Sequence, residues 1–157
     1  MARRTNQGRH DSAGASQARP KAPFEAYVDT PAFIAFLDRS DSHHATFKRL
    51  FASPPALVTS ALVIAEGHGW FLRRYDRHRA AQFLVFVGTL PNLTMQAFDA
   101  AELSKTHRIL TKFGDQDLTM ADAHGLVIMA DRRSAICWST DRHLSLTGVK
   151  LGIPRLN

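Results

Sequence analysis

Apolar and polar positions fall in short blocks along the chain, and their period switches between that of a strand and that of a helix. The run Ala26-Tyr27-Val28, closed by Asp29, reads as a strand. Pro31 suits the first turn of a helix, and Phe33, Ile34, Phe36 and Leu37 give that helix an apolar face. A turn at 39–42 leads into a second helix with Ala45, Phe47, Leu50 and Phe51 on its buried side. Pro54-Pro55 stops it.

The same alternation continues to the end. Ala56 to Thr59 predicts a second strand, and Ser60 can cap a third helix toward Arg74, with Leu62, Val63 and Ala65 inward. A fourth helix covers Arg77 to Thr89, and Leu93 to Met95 a third strand. Asp99 caps a fifth helix through about Thr111, with Leu103, His107 and Leu110 at helical spacing. After an acidic loop, Thr119 opens a sixth helix that runs to about Arg132. Ser134 to Ser139 is a fourth strand whose uninterrupted apolar middle predicts burial on both faces. A turn or short helix follows Asp141, and Val149 to Ile153 predicts a fifth strand. Strands that alternate with helices predict an α/β fold, a short parallel sheet covered on both faces.

Composition narrows the picture. A chain of 157 residues with 45% apolar side chains holds one ordinary domain. Residues 1–23 carry no large apolar side chain after Met1 and read as a disordered basic tail, which leaves residues 24–157 as the domain. Of the net charge of +6, four charges sit in that tail, on Arg3, Arg4, Arg9, Arg19 and Lys21 against Asp11. The tail is either a solvated leader or an arm that grips phosphate. Cys137, the single cysteine, excludes an intramolecular disulfide and a multi-cysteine zinc site, and reads as packing. No run approaches the roughly 20 apolar residues of a membrane span, and the start lacks a secretory pattern. A cytoplasmic, non-membrane protein is the expectation.

Four acids occupy telling places. Asp29 ends the first strand, Glu66 lies in an apolar stretch of the third helix, Asp122 is in the first turn of the sixth, and Asp141 follows the fourth strand. Ligands of parallel α/β sheets bind at the carboxyl ends of the strands, where two of these acids sit and the other two can face. Each also has a plainer use. Asp29 and Asp141 can cap the turns after them, and Thr119 with Asp122 has capping-box spacing. Glu66 is harder to explain that way, because an ionised group among apolar neighbours needs a partner. A hard divalent cation, magnesium or manganese, would neutralise all four and activate water against a phosphodiester.

These residues resemble a known family. Val28-Asp29-Thr30, Thr59-Ser60 with Glu66 six residues beyond Ser60, the 117–122 segment ending in Asp122, and Ser139-Thr140-Asp141 resemble the PIN-domain family, closest to its VapC-type toxins, over about residues 26–154. The resemblance implies a three-layer α/β/α sandwich and a magnesium- or manganese-dependent ribonuclease. It implies Asp29, Glu66, Asp122 and Asp141 as the acidic site, with supporting hydroxyls at Thr30, Thr119 and Thr140. It also implies a homodimer, held inactive by a small antitoxin partner. The long Arg-rich leader departs from the family pattern and takes no role from it.

Basic residues outside the tail offer an RNA surface. Arg73, Arg74, Arg77 and Arg79 cluster where the third helix meets the fourth, and Arg73 and Arg77 share a face if the helix continues. They also suit a solvated helix end. Lys112, Arg142 and His143 lie on loops near the acids. The histidines show no zinc-like pairing. Two other functions compete with RNA cleavage: a binding module that grips nucleic acid or protein without cutting, and a phosphatase with an aspartyl nucleophile. Four uncompensated acids argue against the first, and the lack of a second Asp two residues after Asp29 argues against the second.

Overall fold

The computed structural model describes residues 25–152. The expected N-terminal tail and the end of the expected fifth strand, Ile153, lie outside the described residues. Five strands, β1 (Glu25–Val28), β2 (Ala56–Ser60), β3 (Leu93–Gln96), β4 (Ile136–Trp138) and β5 (Lys150–Leu151), form one sheet in the order β3-β2-β1-β4-β5. All four pairings are parallel. The first strand in sequence is therefore the central one. It is fully buried from Ala26 to Val28, as its uninterrupted apolar run requires.

Among the described residues six helices connect the strands: α1 (Thr30–Leu37), α2 (His44–Ala52), α3 (Ala61–Arg74), α4 (Arg77–Thr89), α5 (Ala100–Lys112) and α6 (Met120–Arg132). The third, fifth and sixth begin at the polar residues expected to cap them, and the fourth begins after Asp76. Ser60, Asp76, Asp99 and Thr119 accept a hydrogen bond from a first-turn amide of α3, α4, α5 and α6. A single 3₁₀ turn, Arg142–Ser145, follows Asp141.

Strand alternation divides the two faces. Val28 pairs in register with Trp138, and both look toward α1 and α2, where Phe51 meets the Trp138 ring edge-on at 5.1 Å. Around them Phe33, Phe36, Phe51, Phe83 and Phe86 form a continuous aromatic cluster joining α1, α2 and α4. The α3 helix packs against this cluster at Gly67, where a Cβ would stand 2.7 Å from the Phe83 ring. Tyr27, one position along β1, looks to the opposite face, toward α6. There Gly125 lets the helix lie directly on the phenol, since a Cβ would meet Tyr27 Oη at 2.7 Å.

Two helix faces differ from the sequence expectation. In α3 the buried positions are Val63, Gly67 and Phe71, whereas Ala65 is exposed. In α5 the buried positions are Glu102 and Thr106, and Leu103 and His107 face outward. Glu102 has a polar partner on α6, and that contact sets the rotation of α5. The third helix does not continue through Arg77: it ends at Arg74, and Asp76 caps a new helix. Arg73 and Arg77 therefore lie on different helices and share no face.

Candidate active site

Asp29 stands one residue beyond the carboxyl end of the central strand and is only 3% exposed. Its side chain does not cap α1. Instead its Oδ2 accepts a hydrogen bond of 2.7 Å from the Ser139 hydroxyl. The Ser139 oxygen in turn accepts the Asp141 amide at 2.9 Å, so one serine joins the ends of β1 and β4. Asp141 then uses Oδ1 to take the His143 amide at 2.9 Å, with His143 Nδ1 also 2.9 Å away. Of the hydroxyls expected to support the acids, Thr140 is exposed, and the one against Asp29 belongs to Ser139.

The other two acids arrive on helices. Thr30 Oγ1 donates to Glu66 Oε2 at 2.6 Å, tying the first turn of α1 to the second turn of α3. Glu66 itself is exposed despite its apolar neighbours in sequence, because α3 turns those neighbours to other sides. Asp122 sits in a full capping box. Its Oδ2 accepts from the Thr119 amide at 2.8 Å and the Thr119 hydroxyl at 2.7 Å, and its own amide donates back at 3.2 Å. Both side-chain bonds fall on Oδ2, so the cap leaves the second oxygen of Asp122 to other uses.

The electrostatics tie three of the acids together. Burial, helped by the negative charges of Asp122 and Glu66, pushes the Asp29 carboxyl up from 3.8 to about 7, against the hydrogen bonds from the Ser139 hydroxyl and the Thr30 amide. Directly behind them lies Tyr27, fully buried, whose hydroxyl has no hydrogen-bond partner. Burial raises its phenol well above the ordinary value, and Asp29, Cys137, Asp122 and Glu66 add to that. Cys137 is buried in β4, and burial, then Asp29 and Asp141, raise its thiol well above the ordinary value. That environment suits packing rather than nucleophilic attack.

The raised Asp29 has a measurable consequence in metal-free protein. The folded state holds this proton more tightly than the unfolded chain does. The stabilisation is therefore full below about pH 4 and is lost as pH rises through about 7. Between pH 5.5 and 8.5 wild type should lose about 2 kcal/mol more stability than Asp29→Asn, measured by urea unfolding. Equal losses in the two proteins would contradict the assignment.

The arginines are distributed unevenly. Arg73 and Arg74 end α3, roughly 10–12 Å along the helix axis from Glu66, and Arg77 and Arg79 open α4. All four are exposed, and Arg74 lies over the Tyr75 ring at 5.5 Å. Arg142 is exposed in the turn directly after Asp141, beside the acids. Lys112 ends α5 with its Nζ over the Phe113 ring at 5.1 Å.

A five-stranded parallel sheet flanked by helices is the fold of a known family. Residues 26–150 match the family model for the PIN domain, and the chain belongs to that family. It is similar to ribonuclease VapC26 of Mycobacterium tuberculosis, 32% identical over 111 residues, which is 67% of this chain and 77% of that protein. It is also similar to the 23S rRNA-specific endonuclease VapC20 of the same organism, 27% identical over 124 residues, covering 78% of this chain and 93% of VapC20. The crystal structure of VapC20, titled a sarcin-ricin loop cleaving toxin, aligns with a TM-score of 0.72 at 22% identity, over 79% of this chain and 95% of that one. VapBC2 from Rickettsia felis, bound to a DNA fragment from its promoter, aligns with a TM-score of 0.56 at 12% identity, over 82% and 97% of the two chains. At those identities the two structures bear on the fold alone.

Proposed function

We propose that this protein is a divalent-metal-dependent endoribonuclease and the toxin of a toxin–antitoxin pair. The observation that carries the reading is Asp29: a carboxylate buried at the end of the central strand, with two further acids close enough to oppose its ionisation. Burial and the neighbouring acids both oppose its charge, with the Ser139 hydroxyl and the Thr30 amide rather than a cationic side chain to offset them. Membership of the PIN-domain family and the ribonuclease names of its relatives support the same reading.

The donor set fits a hard cation. The acids offer only oxygen, and the unpartnered Tyr27 hydroxyl adds a polar atom behind them. Among the described residues no three His, Cys, Asp or Glu side chains stand together as a ready-made cage. A magnesium-type ion needs none, since one or two carboxylates and several waters suffice. Asp29 and Asp122 are the first candidates to hold it, with Glu66 and Asp141 at the margins. Such an ion supplies an activated water and charge stabilisation on the phosphate. The chain's own residues then have defined tasks. Ser139 fixes the Asp29 carboxylate, Thr30 fixes Glu66, and the capping box fixes Asp122. Arg142, next to Asp141, would hold a phosphate near the acids, and Arg73, Arg74 and Arg77 a more distant part of the strand without reading its bases.

Exposed Leu72, Leu84 and Val85 on α3 and α4 support a protein partner on that face, either an antitoxin or a second copy of the chain. Among the described residues no helix is long and apolar enough to cross a membrane. VapC20 is named for 23S rRNA, which makes the sarcin-ricin loop the first substrate to test. Purified protein with manganese should cut ribosomal RNA or another structured RNA, leaving a 5′-phosphate and a 3′-hydroxyl. Saturable RNA binding without cleavage at any metal concentration would favour a binding module instead.

A further inference from the structure

A buried polar chain joins the two helices that carry Glu66 and Asp122. Ser60, the last residue of β2, is fully buried, and its Oγ accepts the Leu62 amide at 3.0 Å as the cap of α3. The same Oγ lies 2.7 Å from Nδ1 of His124, itself fully buried on α6. Nε2 of His124 lies 3.1 Å from Oε2 of Glu102 on α5. The other Glu102 oxygen accepts from Lys105 Nζ at 2.9 Å, and Lys105 also reaches Asp131, near the far end of α6, at 2.7 Å.

In order, Ser60, His124 and Glu102 are arranged like an acyl-transfer triad. Their burial excludes that chemistry, because no substrate reaches Ser60 Oγ. The proton arrangement is instead that of a strut. Since Ser60 Oγ accepts from Leu62, its own proton can go to Nδ1 of His124. The imidazole then carries its proton on Nε2 and donates it to Glu102.

An apolar trio of similar volume would hold these helices together at least as firmly. What hydrogen bonds add is direction. Gly125 on Tyr27 fixes how closely α6 approaches β1, and Leu126, Ile128 and Met129 pack the helix into the core without fixing a direction by hydrogen bonds. His124, the neighbouring residue, supplies that direction by bonding to β2 on one side and α5 on the other. Asp122 lies two residues earlier on the same helix, and Ser60 caps the helix that carries Glu66.

We propose that His124, held between Ser60 and Glu102, is a positioning residue that fixes Asp122 relative to Glu66 and Asp29. The proposal rests on the ribonuclease reading above and concerns the same site. A displacement of about 1 Å in such a constellation can cost on the order of 100-fold in rate.

The test compares wild type with His124→Leu, His124→Gln and the double variant Glu102→Leu/His124→Leu. The double variant removes the buried charge together with its partner, so it keeps a folded protein available. Each is measured for thermal midpoint, for kcat and KM on RNA, and for manganese affinity by calorimetry without RNA. The expected result is a double variant as stable as wild type whose kcat falls about 10- to 100-fold, with KM changed less than about threefold and weaker manganese binding. His124→Gln, which can still reach Glu102, should recover part of the kcat lost in His124→Leu. A stable double variant with wild-type kcat and manganese affinity would overturn the proposal. So would activity losses that track only the unfolded fraction. If wild type itself neither cleaves RNA nor binds manganese, the ribonuclease reading fails before any variant is compared, and the positioning role falls with it.

Discussion

Asp29→Asn should fold normally and lose RNA cleavage by a factor of about 1,000 or more. The substitution keeps the shape of the side chain and an oxygen to accept the Ser139 hydroxyl, but removes the charge a cation needs. A metal ion contributes several kcal/mol of charge stabilisation to a phosphoryl transition state, and about 4 kcal/mol corresponds to roughly 1,000-fold in rate. The stability effect runs the other way. Above pH 7 wild type must bury an ionised group beside Asp122 and Glu66, whereas the amide carries no charge. The variant should therefore be at least as stable as wild type at pH 8 without metal. An inactive variant that is also unfolded would say nothing about chemistry, so the two measurements belong together. An Asp29→Asn protein that folds and cleaves within tenfold of wild type would remove Asp29 from the mechanism.

Phe33→Ala should cost about 3–5 kcal/mol and lower the thermal midpoint by roughly 10–20 °C. Phe33 is fully buried on α1, with ring centroids of Phe51, Phe83 and Phe86 at 5.8, 5.9 and 6.4 Å. It links α1, α2 and α4 through one side chain, so its loss leaves a cavity that no single neighbour can fill. The consequence reaches the site, because Phe33 lies one turn after Thr30, whose hydroxyl holds Glu66. Calorimetry gives the midpoint directly. A drop below about 3 °C would mean that the aromatic cluster is not the main support of this face.

Much of this fold was legible in the sequence because local rules and tertiary structure agree. Ser60, Asp99 and Thr119 cap the helices expected of them, and the fourth helix begins at Arg77 and ends at Thr89 as its pattern predicts. The misreadings share a different cause. In α5, Leu103 and His107 have helical spacing, but so do Glu102, Thr106, Ile109 and Phe113, one residue round. The second set is the one packed inward, chosen by His124 and by the core that Ile109 and Phe113 join. Periodicity alone could not choose between two offset faces. The break between Arg74 and Arg77, expected from the pattern, puts Arg73 and Arg77 on different helices, so the condition for a shared face is not met.

The candidate site divides in the same way. The four acids could be named from their places at strand and helix ends. The role of Ser139 could not, because it depends on β1 lying beside β4 with Val28 level with Trp138. Once that register is known, alternation puts Ser139 beside Asp29 on the same face. Glu66, expected to need a partner among apolar neighbours, has one in Thr30 and is itself exposed, since a helix turns successive residues through about 100° and only one face of α3 meets the core. The links from Ser60 to His124 and on to Glu102 span 64 and 22 residues. Nothing in the local pattern announces contacts of that range.

The central claim is that acids gathered at the end of β1 act through a divalent cation on RNA. The most direct measurement is the initial rate of RNA cleavage by wild type as free manganese is titrated, followed by excess chelator and then by restored metal. Without metal there should be no cleavage, then a saturable rise in rate, full suppression by chelator and recovery on re-addition, with Asp29→Asn silent throughout. Cleavage that persists undiminished in chelator, or that Asp29→Asn retains, would contradict it.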